Sequence, residues 1–299
     1  VKDESKLEAK QEPIQALWRN AQKHIHKEIW GVNLSDPSTH VPSQIILQKY
    51  LNANDGDLSR AKEQLNHTLD WRAKAKPSEL IEKQYAKDKF GGLGYITKYS
   101  DSVNATPDVV EVFTWNIYGS VQNIQQSFGD LDAFIEWRVA LMEMAMRELD
   151  LSTATKPITA DEDPYKIYQV HDYKGTSFFR SPPAVRSAAK KTVEVLAMAY
   201  PETLREKFFI NVPGKSQCLI ESISLLTRIF TALMGFMYGV MKMFVAAKTI
   251  KKFHPMSNGG ALALEFSNSK VQGLGSKLPK EYGGKGGELS TVGKQPTLV

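Results

Sequence analysis

YKIYQVHDYKG (165–175), PPAVRSAAKKTVEVLAMAYPE (182–202) and REKFFINVP (205–213) follow one another with only the short extended piece TSFFR (176–180), Ser181 and residues 203–204 between them. The first is an apolar run that ends in a glycine turn. The second opens on two prolines, which suit a helix start, and continues with helical spacing. The third contains the apolar run FFINV, stopped by Pro213. Strand, crossover-length helix and strand make a unit whose two strands lie parallel.

Working outward, the same alternation recurs. FGGLGYITKY (90–99) reads as a glycine-rich turn and a strand. VVEVFTWNIYG (109–119) alternates apolar and polar residues as a strand does, and LDAFIEWRVALMEMAMRELDL (131–151) is a long helix with an apolar stripe. After Pro213 come two apolar helical stretches, a short strand candidate FHPM, a small helix around ALALEF and a glycine-rich tail. The expected fold is α/β, a mostly parallel sheet with flanking helices.

The N-terminal part differs. Residues 1–12 are polar and charged and are expected to form a loose arm. Pro13 opens a helical pattern in which Ile14, Leu17, Trp18, Ala21, Ile25 and Ile29 recur. A second helix begins near Pro42. Asp57 caps a third, with Leu58, Ala61, Leu65, Thr68 and Leu69 inward. The domain expectations are an arm at 1–12, a helical domain at 13–89, an α/β domain at 90–289 and a tail at 290–299.

Bulk composition narrows the function classes. The chain has 299 residues, 42% hydrophobic and 24% charged, with a formal net charge of +5. That small excess suits either an anionic surface or a merely solvated basic one. Cys218 is the single cysteine, so no intramolecular disulfide and no cysteine zinc cluster can form. This agrees with a cytosolic compartment. The first residue is Val1, so a trimmed or partial N-terminus is expected, and no signal peptide is visible. The longest uncharged apolar run, between Arg228 and Lys242, has thirteen residues. A spanning helix needs about 20.

Enzyme signatures are missing: there is no GxGxxG after an early strand, no GxxxxGK[ST], no HExxH and no GxSxG. No arginine stripe or DNA-binding helical motif points to nucleic acid. The site candidates that remain each have a ligand-facing and a core reading. His171 and Tyr173 are two apart on one extended segment and share a face, with Val170 and Asp172 on the other. A tyrosine oxygen can ligate ferric iron; alternatively both rings are satisfied core residues. Arg138, among Trp137, Val139, Leu141 and Met142, either points out from a core helix or pairs with a ligand carboxylate. ALMGFMYGVMKMFVAAKTIKKF (232–253) reads either as a core helix or as a lipid-facing lid whose lysines gather at one end.

YPETLREKFFINVP (200–213), TIKKFHP (249–255) and LPKEYGG (278–284), in that order, resemble the CRAL-TRIO lipid-binding fold of fungal phosphatidylinositol transfer proteins. KYLNANDGDLSRAKEQLNHTLDWR (49–72) resembles the helical domain that precedes that fold. The resemblance runs from about residue 13 to 289 and implies an apolar cavity, no covalent catalysis, and phosphatidylinositol exchange between membranes. FTWNIYGS (113–120), EWRVALME (136–143) and QVHDYKG (169–175) are similar to the haem-binding branch of that family. That likeness implies ferric haem b, with Tyr173 as iron ligand, His171 beside it and Arg138 in contact with haem. It also implies a lipid headgroup site at Glu202 and Lys252.

A further tyrosine of the family's haem site is matched by Asn54, which can supply no phenolate. The family pattern also passes from FINVP directly into the ALMGF-type helix, whereas GKSQCLIESISLLTRIFT (214–231) intervenes here. That segment is either an extra helix or a translated, unspliced intron. The expected protein is a monomer that works in the cytoplasm and at the surface of endoplasmic reticulum or microsomal membranes, with phosphatidylinositol and haem as ligands. A haem-dependent redox or oxidant-stress protein, and a lipid sensor without transfer activity, are the alternatives.

Overall fold

The computed structural model describes residues 2–101, 110–176, 182–212 and 251–299, with side chains from Glu12 onward. The proposed lid helix (save its end, residues 251–253), Cys218 and the 214–231 segment lie outside the described residues.

The first helix, α1, is Lys2–Ala21. It buries Ile14, Leu17 and Ala21 in the expected spacing but continues N-terminally through Pro13, over the stretch expected as a loose arm. It also stops earlier than the pattern indicates. Ile25 stands fully in solvent, and Ile29 is buried from a small hairpin, β1 (Glu28–Ile29) and β2 (Val32–Asn33). Gly31 at φ +81° makes that turn.

α2 (Val41–Ala53) starts with Pro42 in its first turn. α3 (Leu58–Ala75) is capped by Asp57, whose carboxylate accepts from the backbone N–H of Arg60 at 3.0 Å. Ala61, Leu65, Thr68 and Leu69 are buried as the spacing requires. Short helices α4 (Pro77–Leu80) and α5 (Lys87–Phe90) lead to the sheet.

The sheet contains β3 (Gly94–Ser100), β4 (Val110–Ile117), β5 (Ile167–Asp172), β6 (Leu204–Ile210) and β7 (Phe253–Pro255), in that spatial order. β3 is antiparallel to β4, and every later neighbour is parallel. Helices α6 (Ile124–Phe128) and α7 (Leu131–Glu148) connect β4 to β5, and α8 (Pro183–Ala199) connects β5 to β6. Gly94 lets α7 close on the sheet: a Cβ there would lie 2.8 Å from both Leu141 and Trp137.

Strand alternation divides the sheet into two unlike faces. Phe113, Trp115, Tyr168, Val170, Phe208 and Ile210 pack with the C-terminal residues Leu262, Phe266, Leu274 and Tyr282 in one core. A second core joins α1–α3 to Leu141, Met142, Ala145 and Met146 of α7.

The helical N-terminal part is fastened to the end of α8. Trp30 Nε1 donates to the Ala199 carbonyl, Gln64 Nε2 to those of Ala197 and Met198, and Thr68 Oγ1 to Met198. These bonds satisfy carbonyls that a helix C-terminus otherwise leaves without partners.

Candidate functional site: an aromatic and cationic sheet face

β5 ends at Asp172, and its last residues diverge by side. Asp172 accepts from Tyr282 Oη at 3.1 Å, Asn211 Nδ2 at 2.7 Å and the Lys174 N–H at 2.9 Å. Its carboxylate thereby ties the strand end to the C-terminal segments. His171 points the other way, as the alternation predicts. Its ring lies 5.5 Å from that of Tyr118 and 5.6 Å from that of Phe209. Tyr173, one residue past the strand, reaches the same two rings, at 5.5 and 6.4 Å. His171 and Tyr173 are thus brought together on one face.

Arg138 completes this side from α7. It is 3% exposed, and neither Nε nor Nη1 has a hydrogen-bond partner. His171 is 6% exposed, and its Nε2 is likewise unpartnered. Buried polar groups are nearly always hydrogen-bonded, so two such residues on one face mark a place for a polar ligand.

Electrostatics act in a single direction here. Burial, with Lys207 and Arg138 nearby, holds the His171 pKa well below the ordinary histidine value. Burial also lowers the Arg138 value, which Tyr118 partly offsets, and raises that of Tyr173. Every one of these shifts favours the neutral form, so the histidine is neutral and the tyrosine keeps its proton, while Arg138 is a cation held against the cost of burial.

Glu202 and Lys252 meet at the opposite end of β6. Lys252 Nζ is 3.8 Å from the Glu202 carboxylate and donates to the Leu204 carbonyl at 3.0 Å. Glu202 adopts φ +54°, a conformation costly for a residue with a Cβ. Its carbonyl accepts from Lys49 Nζ at 3.0 Å, and Lys49 also pairs with Asp163 at 2.6 Å. Burial depresses the Lys252 pKa, against the pull of Glu202.

Asn54 is elsewhere. It ends α2, where Nδ2 donates to the Tyr50 carbonyl at 2.9 Å and to Gln64 Oε1 at 2.6 Å. Gln64 is one of the residues that cap α8, so Asn54 orients part of that cap. None of its described hydrogen bonds reaches His171, Tyr173 or Arg138.

A CRAL/TRIO domain family model matches residues 116–228. "Phosphatidylinositol transfer protein sfh-5" of Neurospora crassa is 52% identical over 96% of this chain and 75% of its own length. The chain belongs to the CRAL/TRIO family, with the fungal SFH5 phosphatidylinositol transfer proteins. A relative from Chaetomium globosum, "Phosphatidylinositol transfer protein SFH5", is 59% identical over 96% of this chain and 62% of its own length. The chain thus spans about three fifths to three quarters of these relatives. The "Crystal structure of Sfh5" superposes with TM-score 0.66 over 90% of this chain and 83% of that one, at 24% identity. The CRAL-TRIO architecture expected from YPE, NVP and LPKEYGG is the one observed.

Motif reading alone did not single out Tyr118, Phe209, Lys207 or Lys49. Period two along REKFFINVP places Lys207 on the Phe209 side, a usable signal. Lys49 carried no such signal, since its partners Asp163 and Glu202 are remote in sequence. Among the described residues, no group of three or more His, Cys, Asp or Glu side chains is placed to hold a metal ion. Haem needs no such group, because its own pyrrole nitrogens hold the iron. The residues on this face fit haem: a tyrosine oxygen, a buried arginine with two nitrogens open to a propionate, and aromatic rings for the macrocycle.

Proposed function

We infer that this CRAL-TRIO protein binds phosphatidylinositol and exchanges it between membranes, and that the face carrying Tyr173 holds ferric haem. The observation that carries the haem part is the convergence of Tyr173, His171 and Arg138, whose Nε and Nη1 lack partners, on one aromatic face. Homology to phosphatidylinositol transfer proteins along nearly the whole chain supports the lipid part.

The lipid step needs no covalent chemistry. An apolar interior shields acyl chains at about 0.8 kcal/mol per buried CH₂. Lys252 offers an ammonium to the lipid phosphate, and Glu202 accepts from inositol hydroxyls. Their 3.8 Å separation is loose enough for a headgroup to take over both partners.

Haem, when bound, supplies a ferric centre that favours an anionic oxygen donor. Tyr173 would supply that oxygen as the phenolate, His171 would sit neutral beside it with Nε2 able to hydrogen-bond, and Arg138 would hold a propionate. Haem and phosphatidylinositol compete for the protein. Exchange takes place from the cytoplasm, by peripheral contact with endoplasmic reticulum or microsomal membranes.

A vesicle-to-vesicle assay with labelled phosphatidylinositol tests the lipid reading. Transfer should be lost in Lys252→Ala and fall as haem is added to the wild type. Full transfer by Lys252→Ala removes the headgroup assignment, and simultaneous full occupancy by both ligands removes the competition.

A further inference from the structure

Lys207 lies in β6, which is flanked by β5 and β7, where an apolar residue is the norm. Its neighbours in the strand have polar partners: Arg205 pairs with Glu111 at 3.0 Å, and Glu206 shares a hydrogen bond with His254 Nε2 at 2.6 Å. Among the described residues, the Lys207 ammonium has neither an acid partner nor a hydrogen bond. Its Nζ sits over two aromatic rings, 5.4 Å from the centroid of Phe209 and 5.8 Å from that of Phe253. Phe209 is the ring that His171 and Tyr173 also approach. The other charge that shifts Lys207 is Arg138, also cationic, whose Nε and Nη1 lack a hydrogen-bond partner.

Two cations with no counter-ion among the described residues, on one largely buried face, repel each other and are poorly solvated. A ligand acid group removes both penalties at once. We propose that Lys207 and Arg138 form a cationic pair that selects ligands bearing carboxylates on a planar, apolar body, with Lys207 as a specificity-determining residue. This inference rests on the haem reading of the same face. It adds that the acid groups of the macrocycle, and not iron ligation alone, decide binding. Burial and Arg138 bring the Lys207 pKa down to about 7, so an arriving carboxylate also restores its proton.

Metal-free protoporphyrin IX and its dimethyl ester separate the acid groups from the iron. Each is titrated into wild-type, Lys207→Met and Lys207→Arg protein, with porphyrin fluorescence as the readout. The free acid should bind wild type roughly tenfold to a hundredfold more tightly than the ester, the range for a charge-assisted hydrogen bond. Lys207→Met should abolish most of that ratio, and Lys207→Arg should restore it. Thermal melts show whether each variant folds, and Lys207→Gln replaces Lys207→Met if the latter does not. Equal binding of acid and ester, an undiminished ratio in Lys207→Met, or no porphyrin binding overturns the pair. Acid selectivity without a Tyr173-dependent haem spectrum keeps the pair and overturns the haem reading beneath it. Loss of phosphatidylinositol transfer in Lys207→Met with porphyrin selectivity intact assigns the cation to a lipid phosphate and overturns the proposal.

Discussion

Arg72→Ala should loosen the attachment of the N-terminal helices to the sheet domain. Arg72 is fully buried. Its Nη1 donates to Glu143 Oε1 at 2.6 Å, its Nη2 reaches both Glu28 oxygens at 2.9 and 2.8 Å, and its Nε donates to the Glu28 carbonyl at 2.9 Å. Glu143 is 1% exposed and also accepts from Tyr200 Oη at 2.6 Å. Truncation leaves the Glu143 carboxylate in the interior with a neutral phenol as its remaining donor. Removing one partner of a buried pair costs ~3–5 kcal/mol. With an unfolding entropy of about 2 cal/mol/K per residue, that lowers Tm by roughly 5–8 °C in a chain of this size. Glu28 is partly exposed and should contribute little of this. The assay is urea unfolding of wild type, Arg72→Ala, Glu143→Leu and the double variant. The double variant should recover much of the loss, since an apolar replacement of both partners relieves the stranded charge. A loss below about 1 kcal/mol for Arg72→Ala, or strict additivity in the double variant, refutes the reasoning.

Gly283→Ala should destabilise by about 2–4 kcal/mol in the same assay, because Gly283 sits at φ +86° and a Cβ would lie 2.1 Å from the Gly260 carbonyl oxygen. Ligand-free wild type should lose stability as pH falls from about 10 towards 7: the unfolded chain keeps its Lys207 proton up to about 10.4, whereas folded Lys207 releases it at about 7. Between those limits the unfolded state binds more protons, so stability rises with pH; Lys207→Met should flatten that part of the profile in denaturant melts.

The fold was legible where a local signal and the tertiary environment agree. PPAVRSAAKK announced α8 by its prolines, Asp57 announced α3 by its cap, and LPKEYGG carries in Gly283 a glycine that the backbone geometry demands. The reading failed at the end of α1. The apolar spacing continues to Ile25 and Ile29, but the chain leaves the helix after Ala21 and buries Ile29 from a hairpin. Periodicity alone cannot distinguish those outcomes.

The site was legible in the same measure. Strand alternation put His171 and Tyr173 on one side and Asp172 on the other, and the described contacts agree. Tyr118 and Lys207 are assembled by sheet register and by α7 packing, contacts that span long stretches of sequence. Asn54 shows the opposite lesson. Its position matches a tyrosine of the family's haem site, yet its side chain serves the α8 cap through Gln64.

The most direct measurement is the absorption spectrum of the purified protein after addition of ferric haem, recorded beside Tyr173→Phe. A ferric tyrosinate spectrum in wild type that is lost in Tyr173→Phe, with both proteins folded, is the predicted result. An identical haem spectrum in the two proteins, or no haem bound by wild type, contradicts the assignment of Tyr173 as iron ligand.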